Sequence, residues 1–223
     1  MKIKHLTWVW VLAALLLVSC QKDPSTSGLR DEYLVYTTAD TETSFETIST
    51  YYIPDSILII GSNAVDKQGN KVAKYWKDTD ALTLINTFVS QMDERGYERV
   101  LDPTIRASAD VGFQLSYVED TTYFVGYNNP YWWSYYPYYW DPGYWGSWYG
   151  WYYPYAAVYY GYTTGSLLAE MVNLRSESGS GKSLPVIWNL YVSGLLNDRQ
   201  TIDITDASQA IEQGFTQSPY LNK

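Results

Sequence analysis

The stretch YWWSYYPYYWDPGYWGSWYGWYYPY, residues 131–155, constrains the fold more than any other part of the chain. Sixteen of its twenty-five residues are Tyr or Trp, none is Phe, and Asp141 carries its one charge. Pro137, Pro142 and Pro154, with Gly143, Gly146 and Gly150, break both helix and regular sheet. The same breaks exclude a membrane span, since interrupted backbone in lipid leaves amides unpaired. Nor can the stretch be core: each Tyr or Trp buries about 150–250 Å², and sixteen would overload a domain whose other segments already supply one. A segment of this length without regular structure is normally functional or disordered. Three readings remain. The rings form a platform for a polysaccharide or a protein, with Trp132, Trp133, Trp140, Trp145, Trp148 and Trp151 as the stacking residues. They lie at a lipid interface, which the lack of Lys and Arg disfavours. Or they are low-complexity sequence that associates with itself.

The N-terminus addresses location. MKIKH is cationic, LTWVWVLAALLLV is apolar, and LVSC ends in Cys20. That is the anatomy of a secretory leader, too short in its apolar part for a comfortable span. Leu17–Cys20 resembles the lipobox of bacterial lipoproteins, where cleavage precedes a Cys whose thiol carries a diacylglycerol of palmitate type. The expected parts are a leader over 1–19, a lipidated Cys20 with a tether to residue 30, and one domain over 31–223. QKDP resembles in part the acidic signals that send lipoproteins to the surface, with Pro24 at its second acidic position; the periplasmic and external faces stay open.

Loss of residues 1–19 removes His5, the only His, and lipid consumes Cys20, the only Cys. Catalysis that depends on His or Cys, zinc, iron and copper sites ligated by them, and disulfides are therefore excluded for the mature chain. It retains all 24 acidic residues and, without Lys2 and Lys4, thirteen basic ones, a net charge of −11. Such a surface disfavours nucleic acid and anionic lipid as partners. No cofactor is implied.

Between these segments the pattern is regular. SFETISTYYIP (44–54) reads as a strand ended by Pro54, followed by a second apolar run and a turn at KQGN. DTDALTLINTFVSQMDERGY reads as a helix capped near Asp78, with Leu82, Ile85, Phe88, Val89 and Met92 inward and Gly96 as its stop. YERVL begins another strand, and in ADVGFQLSYVED Val111, Phe113, Leu115 and Tyr117 share one face. GSLLAEMVNL and LPVIWNLYVSGLL read as a hairpin with a long polar tip, Val186, Trp188, Leu190 and Val192 sharing a face. The chain closes on a short helix capped by Thr205 or Asp206, with Ala207, Ala210, Ile211 and Phe215 inward. The order predicts an α+β two-layer domain: a mostly antiparallel sheet, two helices on one face, and the aromatic insertion at 127–162.

The ordered set of segments resembles the lipoprotein family called domain of unknown function 4136. Phe45, Thr50, Tyr51 and Pro54 are similar to its opening, ALTLINTFVSQMDERGYERV to its helix and following strand, and ADVGFQLSYV to its next strand. Gly165, Trp188 and Gly194 match its hairpin, and Ile211, Phe215 and Pro219 its closing helix. The resemblance implies architecture and an envelope location, and no chemistry. Asn189 follows Trp188 where a basic residue is common, and the hairpin tip is longer than usual.

Two sequences invite a catalytic reading. SGSGKS (178–183) suggests a phosphate loop, but Ser176 stands where its first Gly is required and a strand follows instead of a helix, so a hairpin tip is the better reading. Glu119 and Asp120 at the base of the aromatic segment, with Asp141 inside it, are the available carboxylates for a glycosidase-like pair. Acids at strand ends are usually solvated, and no acid spacing resembles an EF-hand, so no catalytic residue and no metal is expected. The reading is a non-enzymatic, lipid-anchored outer-membrane protein with an aromatic binding loop. The alternatives are a structural or assembly component of the envelope and a carboxylate-dependent hydrolase.

Overall fold

Three eight-residue runs, VGFQLSYV, SLLAEMVN and VIWNLYVS, alternate apolar side chains around a central polar one, which suits a pleated ribbon. In the computed structural model they are the longest strands. The structure describes residues 33–61, 67–69, 72–102, 108–119, 164–175, 185–196 and 201–223. The strands are β1 (Leu34–Ala39), β2 (Thr50–Tyr52), β3 (Ile57–Ile60), β4 (Lys74–Trp76), β5 (Glu98–Arg99), β6 (Val111–Val118), β7 (Ser166–Asn173) and β8 (Val186–Ser193). The helices are α1 (Thr79–Glu94) and α2 (Ile204–Thr216).

β1, β8, β7 and β6 pair antiparallel in that order. β2 and β3 follow one another along the far side of β6, both parallel to it; β5 pairs parallel with β2 and β4 antiparallel with β3. The α+β class is as expected, but the open sheet is mixed. α1 lies in the connection that leads from β2 and β3 back to β6, and a crossover of that kind is what parallel neighbours require.

Both helices pack on one face. Asp78 caps α1, its carboxylate accepting from the amides of Asp80 at 3.0 Å and Ala81 at 3.1 Å. Gly96 follows the helix at φ +84°, a conformation only Gly takes without strain. Ala81, Leu84, Ile85, Phe88 and Met92 are the buried stripe. Leu82, expected inside, is exposed and Val89 half-buried, because the stripe begins at Ala81 and both residues stand at its margin. The cap of α2 is Asp203, not Thr205 or Asp206: its carboxylate accepts from both of their amides, at 2.9 and 3.1 Å. Ala207, Ala210, Ile211 and Phe215 face inward as expected.

The core beneath the helices is aromatic. Trp188 lies 5.2 Å from Phe215 and 6.3 Å from Phe113, ring centre to ring centre. Its indole N–H donates to Ser218 Oγ at 2.9 Å, as a buried indole requires. Two further expectations are corrected. The strand read over 44–54 is only Thr50–Tyr52, preceded by a 3-10 turn at Phe45–Thr47, and the strand at YERVL is only Glu98–Arg99. The β2 start is held from afar, since the Asp110 carboxylate accepts from the amides of Ser49 at 2.7 Å and Thr50 at 3.0 Å. A register shift in β7–β8 also turns Ile187 into the core, leaving Val186 half-buried.

Candidate functional site

Cys20 and the six tryptophans of the aromatic stretch lie outside the described residues, as do Asp120, Asp141 and the SGSGKS tip. Glu119 is described. Its carboxylate sits 3.0 Å from Lys74 Nζ, and both side chains are nearly half exposed. That is a surface ion pair reaching across β3, which pairs with both β4 and β6. No cluster of three or more potential metal ligands occurs among the described residues.

The chemistry that stands out is on the sheet face turned away from the helices. Strand pairing sets Gln114 opposite Glu170, Glu170 opposite Asn189 and Asn189 opposite Thr38. This makes a polar row across four strands, whose neighbouring side chains stand about 5 Å apart. Ser116 occupies the next position along β6, opposite Leu168. Ser166 Oγ and Tyr191 OH lie 3.0 Å apart on the same side. Leu58, Val118, Leu168 and Val172 alternate with these groups and belong to this face, not to the helix-side core.

In a two-layer domain the sheet face without helices is the one left to solvent. Instead Gln114, Ser116, Glu170 and Asn189 are each at most 6% exposed. Among the described residues no helix or strand stands over it, since both helices pack on the other side. Burial alone pushes the Glu170 carboxyl up to about 8, so at neutral pH it is largely protonated and can donate as well as accept a hydrogen bond. Asn189 Oδ1 and Ser116 Oγ receive no hydrogen bond among the described residues. The row is thus a strip of hydrogen-bonding groups in dry surroundings, suited to holding polar edges of another surface.

Sequence reasoning missed this row. A signal was present: each long strand carries one strongly polar residue at its middle, Gln114, Glu170 and Asn189. Register, which no single strand reveals, brings the three side by side.

The model of the family described as domain of unknown function DUF4136 matches residues 35–220. Among solved structures, a DUF4136 family protein from Bacteroides thetaiotaomicron is 44% identical, with a TM-score of 0.71, covering 85% of this chain and 97% of its own. The PelC dodecamer from Paraburkholderia phytofirmans is 9% identical, with a TM-score of 0.38 over 86% of this chain and 99% of that one, too far apart in shape to carry an argument. No curated protein matches.

Proposed function

The chain belongs to the DUF4136 family, whose description assigns no chemistry, and from its own residues we propose a non-catalytic envelope protein that binds through its aromatic segment. In this reading a lipid on Cys20 anchors it to the outer membrane, the LVSC sequence at the end of the leader being the support. The ligand is a glycan or a protein that stacks on Trp132, Trp133, Trp140, Trp145, Trp148 and Trp151.

The observation that carries the binding role is where the segment is rooted. It leaves after β6 and returns into β7, and these adjacent central strands pair in unbroken register from Val111↔Asn173 to Val118↔Ser166. Gly165 N donates to Val118 O at 2.9 Å, closing the base. A long insertion on such a rigid base is the usual way a scaffold presents a recognition loop. Against a hydrolase, Glu119 is held by Lys74, and Glu170 is buried and neutralised.

Six of the eight tryptophans in residues 20–223 fall in the segment, so intrinsic fluorescence reports on it. Titrating residues 21–223 with a panel of polysaccharides should give a saturable change that disappears when 131–155 are deleted. A flat response across the panel removes the glycan ligand, and a failure to capture an envelope protein by crosslinking then removes the binding role.

One observation favours the assembly reading. β1 is an edge strand of six residues, LVYTTA, with neither charge nor proline to block pairing with another chain. Light scattering decides it: a protein that stays monomeric at all concentrations is no assembly subunit.

A further inference from the structure

The edges of the sheet differ in kind. β4 (KYW) and β5 (ER) are edge strands of three and two residues that carry charge, which discourages pairing with another chain. β1 (LVYTTA) has six residues, no charge and no proline, and each is exposed or half-buried. Among the described residues no strand lies beyond it. One bond fixes its hydrogen-bonding phase. Asp40 N donates to Ile187 O at 2.9 Å, and the register with β8 is unbroken from Leu34↔Ser193 to Ala39↔Trp188. Bonded pairs alternate in an antiparallel ladder, so Leu34, Tyr36 and Thr38 direct their amides and carbonyls to β8. Val35, Thr37 and Ala39 turn theirs outward. We infer that this outward set is a dimerisation edge, where β1 pairs antiparallel with β1 of a second copy about a two-fold axis through Thr37.

Self-complementarity selects a second copy as the occupant. About that axis Val35 meets Ala39 of the second copy, Thr37 meets Thr37 and Ala39 meets Val35, so every outward amide and carbonyl of the three is bonded. A register shifted by two residues sets Ala39 against Tyr33 or Val35 against Thr41, both outside the strand. The side chains suit the same register. Val35, Thr37 and Ala39 stand on the helix side, opposite Val192, Leu190 and Trp188 of the core. Across the axis Val faces Ala and Thr faces Thr, a favourable cross-strand pair. Charge agrees as well. A chain of net charge −9 repels its own copy, and this edge sets no charged side chain of β1 against another. The pairing joins two eight-stranded sheets into one. Its strand is about 20 Å long, which makes a small interface, so the dimer dissociates on dilution. The inference rests on the assembly reading, to which it gives a partner and a register; the aromatic ligand plays no part in it.

The test uses the full chain in detergent, with wild type giving the background from Cys20. Thr37→Cys sets two thiols directly opposite, with about 5.5 Å between Cα atoms, a separation that a disulfide spans. Mild oxidation should give a covalent dimer, linked through position 37 of both copies by mass spectrometry. Val35→Cys or Ala39→Cys alone holds its two thiols roughly 14 Å apart and should give at least ~10-fold less dimer. Mixed together, these two variants should link position 35 to position 39. Thr37→Pro removes an outward amide and none that bonds β8, so circular dichroism should stay unchanged while the dimer fraction in sedimentation falls. Equal oxidation of the three single variants, a link from position 37 to another position, or a folded Thr37→Pro that dimerises as wild type overturns the inference. If Thr37→Pro unfolds, the thiol variants decide. Oligomers in light scattering without the link at position 37 overturn the edge and leave the assembly reading standing. A chain monomeric at every concentration removes both.

Discussion

Replacing Glu170 by Gln should stabilise the protein, by an amount that grows with pH. The carboxyl is dry and its pKa rises from 4.5 to about 8 on folding, the cause being burial. Below pH 4.5 it is protonated in folded and unfolded chains alike and has no effect on stability. As pH rises from there to about 8, only the unfolded chain ionises, so stability falls by about 1.4 kcal/mol per pH unit and then levels off. At pH 7 the loss is about 3 kcal/mol, a large part of a typical folding free energy. Gln has the shape of the protonated acid, keeps a donor and an acceptor facing Gln114 and Asn189, and cannot ionise. Urea unfolding followed by far-UV circular dichroism, repeated between pH 5 and pH 8.5, gives the comparison. The Gln variant should be within about 1 kcal/mol of wild type at the acid end and roughly 3 kcal/mol more stable at neutrality. Groups titrating elsewhere cancel in the difference. A gap that does not change with pH would refute the desolvation argument, because it would mean that Glu170 ionises in the folded protein as it does in water.

Other perturbations test the scaffold. Gly165 sits at φ +82° before β7, where a Cβ would collide with the Leu196 side chain. Gly165→Ala should therefore cost about 3 kcal/mol, seen as a drop in Tm. Asp110 is 2% exposed, receives the Ser49 and Thr50 amides and pairs with Arg175. Asp110→Asn should cost about 2–3 kcal/mol and lower the urea midpoint without changing m. Trp188→Phe removes the indole donor to Ser218 and leaves a small void, for a loss of about 2 kcal/mol by the same assay. Glu119→Gln breaks an exposed ion pair with Lys74, and the change should stay within about 0.5 kcal/mol and shrink further in salt.

Local periodicity made much of this fold legible. α1 and its Asp78 cap follow from a 3.6-residue apolar repeat behind an Asp, and Phe113, Trp188 and Leu190 could be assigned to one buried face from alternation alone. The ordered segments were enough to place the chain in its family. Where capping groups compete within a few residues, the sequence was less decisive: Asp203, Thr205 and Asp206 all have cap-forming side chains, and only backbone geometry selects Asp203.

What remained hidden depends on contacts distant in sequence. β2 begins where it does because Asp110, sixty residues on, holds its first amide. β2 and β3 run parallel to β6 because α1 intervenes, which no strand carries in its own residues. The polar positions of β6, β7 and β8 look individually like the wet side of half-buried strands. Tertiary register alone sets Gln114, Glu170 and Asn189 in one row, and burial of that row makes Glu170 an acid that holds its proton at neutral pH. Composition and periodicity settled which segments form helices and strands, because those choices are made within a few residues. Which face is dry, and what charge survives on it, was decided only by the folded sheet, because desolvation is a property of everything packed around a group.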